Sequence, residues 1–509
     1  MNSPPNKTEA RPDGAQPAEK RLTRREIRFV MIGLMLAMGL SSLDQTIVTP
    51  AMPTMGRLLG DVENLPWVVT AYLLTATTVT PLYGKLSDIH GRRRMLLIAV
   101  GIFILGSVAC ALAPTLTTLI FARGLQGLGG GGVMSLVHTI VGDLVPPRER
   151  GRYQGYFVTV FGLTAVAGPI LGGLFVEHTH WSLIFWINVP LGLIAFAMTW
   201  SALKRLPRHE RPHKLDVLGA LVMISAAICF LLALTWGGSR YPWFSAPILA
   251  LVAGSAVLWV LFGLRLATAP EPFIPLAILK NPVILSATAT ATAAMGCMIA
   301  LTVYVPLFCE IVLRFSATYA GMALVPMMTG TVVGSLMTGQ TMARLQNYTL
   351  VPLAAVAAGI VSMVYVAIWP DYSASLTTLA LGIAGIGIGS VLPITIVCVQ
   401  NSVQPHQFGI TTGAMNFTRQ LGSSVIVTLF GAIVLGGFGG KSISVETLLL
   451  PSGQDYVTVF RWVFVASAIV LAISFTALAL MERKPLRNSV AAHSGDPVAP
   501  TIAGPSVKI

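Results

Sequence analysis

The feature that most constrains this chain is a succession of apolar runs, each about as long as a bilayer is thick. A helix crossing the hydrocarbon core needs about 20 largely apolar residues, and fourteen such runs can be read along the chain. They lie near 29–51, 65–84, 95–113, 117–140, 154–176, 182–203, 216–236, 246–266, 284–309, 319–341, 349–369, 376–399, 410–437 and 459–481. The first is no cleavable signal, because it is long and lacks a small-residue cleavage site. Of the 509 residues, 54% are hydrophobic and only 10% charged, too little polar matter to cover a soluble core of that size. The expected fold class is an all-α polytopic membrane protein.

Lysine and arginine set the expected orientation. Lys20, Arg21, Arg24, Arg25 and Arg28 precede the first run, and Lys85, Arg92, Arg93 and Arg94 follow the second. Arg148, Arg150 and Arg152 follow the fourth; Lys204, Arg205, Arg208, Arg211 and Lys214 follow the sixth. The alternate loops hold little beyond Arg57, Arg240, Arg314 and Lys441. Both termini are therefore expected in the cytoplasm, with the chain in the cell (inner or plasma) membrane. The net charge of +13 reads as topology, not as a nucleic-acid surface. Cys110, Cys229, Cys297, Cys309 and Cys398 form neither a CxxC pair nor a metal-ligand spacing. No GxxxxGK[ST] phosphate loop, nucleophile–base set or cofactor loop is present, so neither an enzyme, a cofactor nor a built-in ATP motor is expected.

Shifting the fourth and fifth runs by 258 residues overlays them on the twelfth and thirteenth. Gly127, Gly129 and Gly131 meet Gly385, Gly387 and Gly389; Val145, Pro147, Gly151 and Gly155 meet Val403, Pro405, Gly409 and Gly413. A step of eight helices fits a six-helix repeat interrupted by two inserted helices. The expected organisation is a cytoplasmic tail (1–28), a first six-helix bundle (29–203), a basic linker (204–215), two inserted helices (216–266), a second linker (267–283), a second six-helix bundle (284–481) and a cytoplasmic tail (482–509). Parallel repeats of this kind typify transporters that bind substrate near the midplane between two rocking halves.

Charges inside the apolar runs are costly, about 2.5 kcal/mol or more at mid-bilayer, so they face cavities or partners. Asp44 in LSSLDQTIVTPAMP and Arg123 in LIFARGLQGLGGGGVMSL stand out, and the repeat carries an apolar Leu381 where Arg123 stands. Both lie roughly 10 Å below the outer surface at the rise of a helix, and are expected to meet across a central cavity. Burial favours the protonated carboxyl and a guanidinium favours the ionised one. A carboxyl held between the two can load and release a proton as the cavity opens alternately to each side, and a cationic substrate would compete for it. The alternative is a static ion pair that fixes helix register. Glu310, four residues before Arg314, reads as a surface pair or as a second acidic site. Arg419 reads either as snorkelling to the cytoplasmic surface or as functional, and His138 as a hydrogen-bonded packing residue.

The stretch GKLSDIHGRRRML resembles the loop between spans two and three of the major facilitator superfamily, through Gly84, Asp88, Gly91, Arg92 and Arg93. There Asp88 can meet a helix N-terminus or a basic residue of the other half and latch the cytoplasmic side. Arg123, Gln126 and Gly127 look like the family's span-four motif. GLTAVAGPILGG resembles its antiporter motif in span five, through Gly162, Gly168, Pro169, Gly172 and Gly173. LDQTIVTPAMP, with Asp44 as its acid, and FWINVPLG are similar to stretches of the fourteen-span drug:proton antiporters, the QacA/EmrB-like group. The second copy of the latch loop, GQTMARLQN, is degraded, and Glu310 stands where members often carry Gln.

The resemblance implies the major facilitator fold of two six-helix bundles plus two inserted helices, fourteen spans in all. It also implies a proton-coupled antiporter that exports amphipathic, cationic or neutral, drugs or toxic compounds by alternating access, driven by the proton gradient. Candidate pocket walls are Trp67, Tyr72, Gln126, Phe157, Phe161, Tyr304, Phe308 and Phe417. The expected partners are the small-molecule substrate, protons and the lipid bilayer, with no nucleic acid and no metal. The chain is expected to act as a monomer, with a periplasmic adaptor left open. Two other readings stand beside this one: a dedicated exporter of one metabolite, siderophore, lipid or antibiotic, and a non-transporting membrane sensor or scaffold.

Overall fold

The computed structural model describes residues 23–202, 215–345, 347–369, 374–437 and 456–486. Most of both expected tails and of the 204–215 linker, with the loop 438–455, lies outside them. The first half contains α1 (Arg24–Ile47), α2 (Met52–Leu59), α3 (Trp67–His90), α4 (Arg92–Ala111), α5 (Leu116–Leu144), α6 (Pro147–His178), α7 (Leu183–Trp186) and α8 (Asn188–Ala202). The inserted pair is α9 (Val217–Trp236) and α10 (Ala246–Thr268). The second half runs through α11 (Leu276–Leu279), α12 (Pro282–Ile311), α13 (Ala317–Met322), α14 (Val325–Arg344), α15 (Leu350–Ile368), α16 (Ala374–Asn401), α17 (Phe408–Gly437) and α18 (Tyr456–Ala479).

Local chemistry sets several boundaries. A capping box opens α1: the Glu26 amide donates to Thr23 Oγ1, and the Thr23 amide donates back to the Glu26 carboxylate at 2.8 Å. The helix stops at Ile47 because Pro50 has no N–H to continue the ladder. The chain then turns through Thr49–Ala51 and resumes as α2. The first apolar unit thus reaches Leu59 as a bent helix, beyond the expected end near residue 51. Between α3 and α4 only Gly91 intervenes, at φ +88°, a backbone that a side chain would strain.

By length and apolarity, twelve helices among the described residues can cross a membrane, two fewer than the fourteen expected. The two below the apolarity mark are α3 and α5, although they have 24 and 29 residues. Thr70, Thr75, Thr77, Thr78 and Thr80 lower the apolarity of α3, and the glycines with Arg123, Gln126 and His138 lower that of α5. Most residues of α5 are buried against protein, so its polarity is met by neighbouring helices.

The glycine overlay corresponds to one set of helix crossings built twice. Gly127 and Gly131 of α5 press on the backbone of Tyr72 and Ala76 in α3; Gly385 and Gly389 of α16 press in the same way on Met327 and Thr331 in α14. Gly129 meets Ala99 and Phe103 of α4, and Gly387 meets Ala355 and Val356 of α15. Small residues allow such close approach, which a membrane bundle needs because lipid offers no hydrophobic drive for helix association.

The halves meet by the same symmetry at the end that carries Lys85, Arg92 and Arg148, the basic end. Gly84 lies against Gly409 and Gly151 against Gly339, with Thr80 on Gly413 and Ser335 on Gly155 one turn further in. Gly162 still faces the other half, at Val332, but Gly168 and Gly172 turn to Thr46 and Ile47 of α1. The inserted pair packs on itself through Ser255, which donates to Ala226 O at 2.9 Å, and through Arg265 and Asp216 at 3.0 Å. It touches both halves, with Trp236 on Trp67 of α3 at 5.8 Å and Trp259 on Phe417 of α17 at 6.2 Å.

A Cβ at Gly131 or Gly389 collides with backbone, whereas one at Gly101 meets open space. Gly131→Val and Gly389→Val should each cost about 1–3 kcal/mol of stability, seen as a lower Tm in detergent. Gly101→Ala should not lower it.

Candidate functional site

Asp44 sits three residues before the end of α1, and Arg123 and Gln126 share one face of α5 at i, i+3 spacing. The structure places Arg123 Nη1 2.6 Å from Asp44 Oδ2. Asp44 Oδ1 accepts two more hydrogen bonds, from Gln126 Nε2 and from Asn188 Nδ2 at the start of α8, each 2.8 Å long. Arg123 also donates to Gln126 Oε1 at 2.6 Å and to Val68 O of α3 at 3.0 Å. Its guanidinium lies 4.4 Å from the centre of the Tyr72 ring and 5.7 Å from that of Phe185. Behind Gln126, its Nε2 donates to Ser107 Oγ of α4 at 2.7 Å. Tyr72 shares a 3.0 Å hydrogen bond with Ser41.

The site is closed. Asp44 is 0% exposed and Arg123 1%, so the pair does not meet across an open cavity, as expected, but inside the first half. The reason is α7: its Ile184 and Phe185 are fully buried and lie over the bend where α1 gives way to α2. Three donors converge on this one carboxyl group, and a low-dielectric surrounding makes each of those bonds count. Asn188 and Ser107 were not singled out from the sequence. Asn188 carries the signal that could have found it, a carboxamide inside the apolar stretch FWINVPLG.

At the basic end, Asp88 reaches the N-terminus of α17 in the other half. The Ile410 amide donates to it at 2.8 Å and the Gly409 amide at 3.2 Å, where a helix start favours negative charge. Arg92 pairs with Asp88 and donates to Asp143 of α5 at 2.9 Å. Arg93 lies over the Trp200 ring at 4.7 Å. In the degraded second copy Ala343 stands where Asp88 does, and its carbonyl accepts from Arg148 at 3.1 Å. The span-five residues divide. Gly168 and Gly172, flanking Pro169, seat α6 on α1 beside Asp44; Gly162 faces the second half; Gly173 meets nothing within 4 Å.

The pocket candidates are not brought together. Tyr72 and Gln126 belong to the Asp44 network, and Trp67 packs on Trp236. Phe157 is buried against His138, Phe308 between Phe460 and Phe464, and Phe417 beside Trp259. Tyr304 stacks on Phe430, and Phe161 packs on the core of the second half. Spacing along one helix does not say which neighbour its aromatic face meets. Glu310 is exposed, and no ion pair joins it to Arg314 among the described residues. The helix ends at Ile311 and Arg314 adopts φ +57°, which breaks the i, i+4 geometry. Arg419 stands eleven residues into α17, about 16 Å from its Phe408 end, too deep to snorkel to the basic surface.

Residues 34–427 match the Major Facilitator Superfamily. The chain is 34% identical over 416 residues to Multidrug resistance protein 3 of Bacillus subtilis, covering 81% of each. It is 33% identical over 408 residues to the Multidrug transporter protein MdtP of the same organism, covering 80% of this chain and 75% of the relative. Among solved structures, a bacterial homologue of the iron transporter ferroportin in its outward-facing state superposes with a TM-score of 0.61 at 13% identity, over 90% of this chain and 99% of that one. That last likeness concerns the fold alone.

Arg123→Leu, which copies Leu381 of the second half, strands the Asp44 carboxylate and should cost about 3–5 kcal/mol of stability. Adding Asp44→Asn should recover most of the loss, read as Tm in detergent. Asp88→Ala should loosen the basic end, so that a cysteine placed at Thr412 reacts several-fold faster with a maleimide.

Proposed function

The chain belongs to the Major Facilitator Superfamily, and from that premise we propose that it is a proton-coupled antiporter exporting amphipathic drugs or toxic compounds by alternating access. The observation that carries the reading is Asp44, an ionisable carboxyl enclosed in the apolar part of the first half and held by α1, α5 and α8. Uptake of a proton neutralises it, removes its attraction for Arg123 and leaves Gln126 and Asn188 as donors to a group that needs fewer of them. The helices that share the network then lose one of the contacts that join them, while their glycine crossings remain. The latch at Asp88 supplies the other requirement, a contact between halves that exists in one state and must break in the other.

Multidrug and efflux proteins among the relatives support the export direction. Of the cationic and neutral cargoes expected, a cation would need an Asp44 free of its three donors, so a cargo without positive charge is favoured. We include α3 and α5 among the spans, giving fourteen. Their 24 and 29 residues extend about 36 and 43 Å, more than the roughly 30 Å of hydrocarbon. Both termini are then on one side, and the basic loops support a cytoplasmic side for them. We assign the two bundles to 29–203 and 284–481, around the inserted pair 216–266. The protein works as a monomer in the cell membrane, with the proton gradient as its energy source.

The test is reconstitution in liposomes with an imposed pH gradient, following efflux of Nile red, ethidium and rhodamine 110. The wild type should export at least one dye in proportion to the gradient, and Asp44→Asn should lower that flux at least tenfold while Glu310→Gln does not. Equal flux by wild type and Asp44→Asn would place the proton elsewhere.

A further inference from the structure

We propose that Arg419 binds an anionic group of the cargo, so that this protein selects amphiphiles bearing a carboxylate; the inference rests on the export reading above. The overlay by 258 residues puts Phe161 of α6 at the position equivalent to Arg419 of α17. Phe161 packs on the core of the opposite half, so this helix position looks across the seam. Arg419 stands on the helix that forms the seam: α17 packs on α3 and α5 of the first half, with Gly413 against Thr80 and Pro81. The repeat builds the same helix with phenylalanine, so the fold does not require a charge there.

Among the described residues the guanidinium has no counterpart. Arg123 has Asp44, Arg92 has Asp88 and Asp143, and Arg265 has Asp216. Arg150 donates to the Val145 and Gly142 carbonyls. Among the described residues, Arg419 forms neither an ion pair nor a hydrogen bond, and its Nε is enclosed without an acceptor. Around the seam, other polar atoms are also enclosed without partners: Asn416 Oδ1 one turn earlier on α17, Gln154 Nε2 and Gln400 Oε1. Gln154 bonds His138 Nδ1 at 2.9 Å, and Gln400 Nε2 donates to His138 O at 3.0 Å across the seam, so His138 joins the two glutamines into one patch.

An unpaired cation at mid-membrane is a costly feature that marks a substrate path. It lies further in than the Gly84–Gly409 and Thr80–Gly413 contacts that close the basic end. A guanidinium presents a planar fork of donors that matches a carboxylate in two parallel hydrogen bonds, a geometry an ammonium lacks. With Asp44 sealed by its own donors, the seam carries a free positive charge and no free negative one among the described residues. It therefore repels cationic amphiphiles and holds anionic ones.

Rhodamine 110, with a free carboxylate, and rhodamine 123, its methyl ester, isolate that group. Binding to purified protein in nanodiscs is read by fluorescence anisotropy at equilibrium with no pH gradient, so a failure of proton coupling would leave the result standing. The wild type should bind rhodamine 110 at least tenfold more tightly than the ester. Arg419→Gln should weaken rhodamine 110 at least tenfold and the ester less than twofold, without lowering Tm. Arg419→Lys should fall between, keeping the charge and losing the fork. Equal affinity of the wild type for both dyes, binding of neither, or an equal loss of both in Arg419→Gln would overturn the proposal.

Discussion

An ionised carboxylate surrounded by hydrocarbon is tolerated only when donors of the protein replace the water it has left, and that requirement organises the first half. Asp44 takes three donors from two helices, and the two from α5 are fixed in turn: Arg123 by Val68 and Tyr72, Gln126 by Ser107. The glycines of α5 let that helix lie directly on α3 and α4, which brings the donors within reach. A larger residue at those crossings would separate the helices by more than a hydrogen bond can span. The second half shows the same crossings without the charge, with Leu381 and Ala384 at the positions of Arg123 and Gln126. Packing and polarity are therefore separable here: one is inherited by both halves, the other is confined to one.

The two contacts that close the basic end are symmetric in backbone and different in chemistry. Along the α3–α17 seam, a carboxylate accepts from two amides at a helix start, and Arg92 holds that carboxylate in place. Along the α6–α14 seam, glycine backbones touch and a single arginine meets a carbonyl. The first contact weakens when the Asp88 charge is removed or screened; the second has no carboxylate at the equivalent position, Ala343. The charged contact thus lies on one side of the pseudo-symmetry axis.

Much of this was legible in the residues, for reasons that differ from case to case. Asp44 and Arg123 stood out because charge in an apolar run is conspicuous, and their distances from the helix ends placed them at one depth. The repeat was legible because glycine at a crossing has few substitutes. Asn188 was hidden because a carboxamide is less conspicuous than a charge, and its role depends on α7 folding over the bend after α1. The aromatic candidates were misplaced because a one-dimensional spacing carries the face of a helix but not the identity of the helix opposite. The pairing of Glu310 with Arg314 failed on a single left-handed residue. The polarity of α3 and α5, which sets them apart from the other long helices, follows from how much of the chain encloses them.

The inserted pair α9–α10 touches α3 on one half and α17 on the other, and so spans one of the two seams through its tryptophans. The opposite seam has no such cover among the described residues: Leu163 and Ile170 of α6 and Val333 and Met337 of α14 are exposed on its apolar outer side. A compound dissolved in the surrounding lipid therefore meets two different flanks, one shuttered by a helical hairpin and one bare. The hairpin covers one seam and leaves the other bare, and gives a fold with internal symmetry a front and a back.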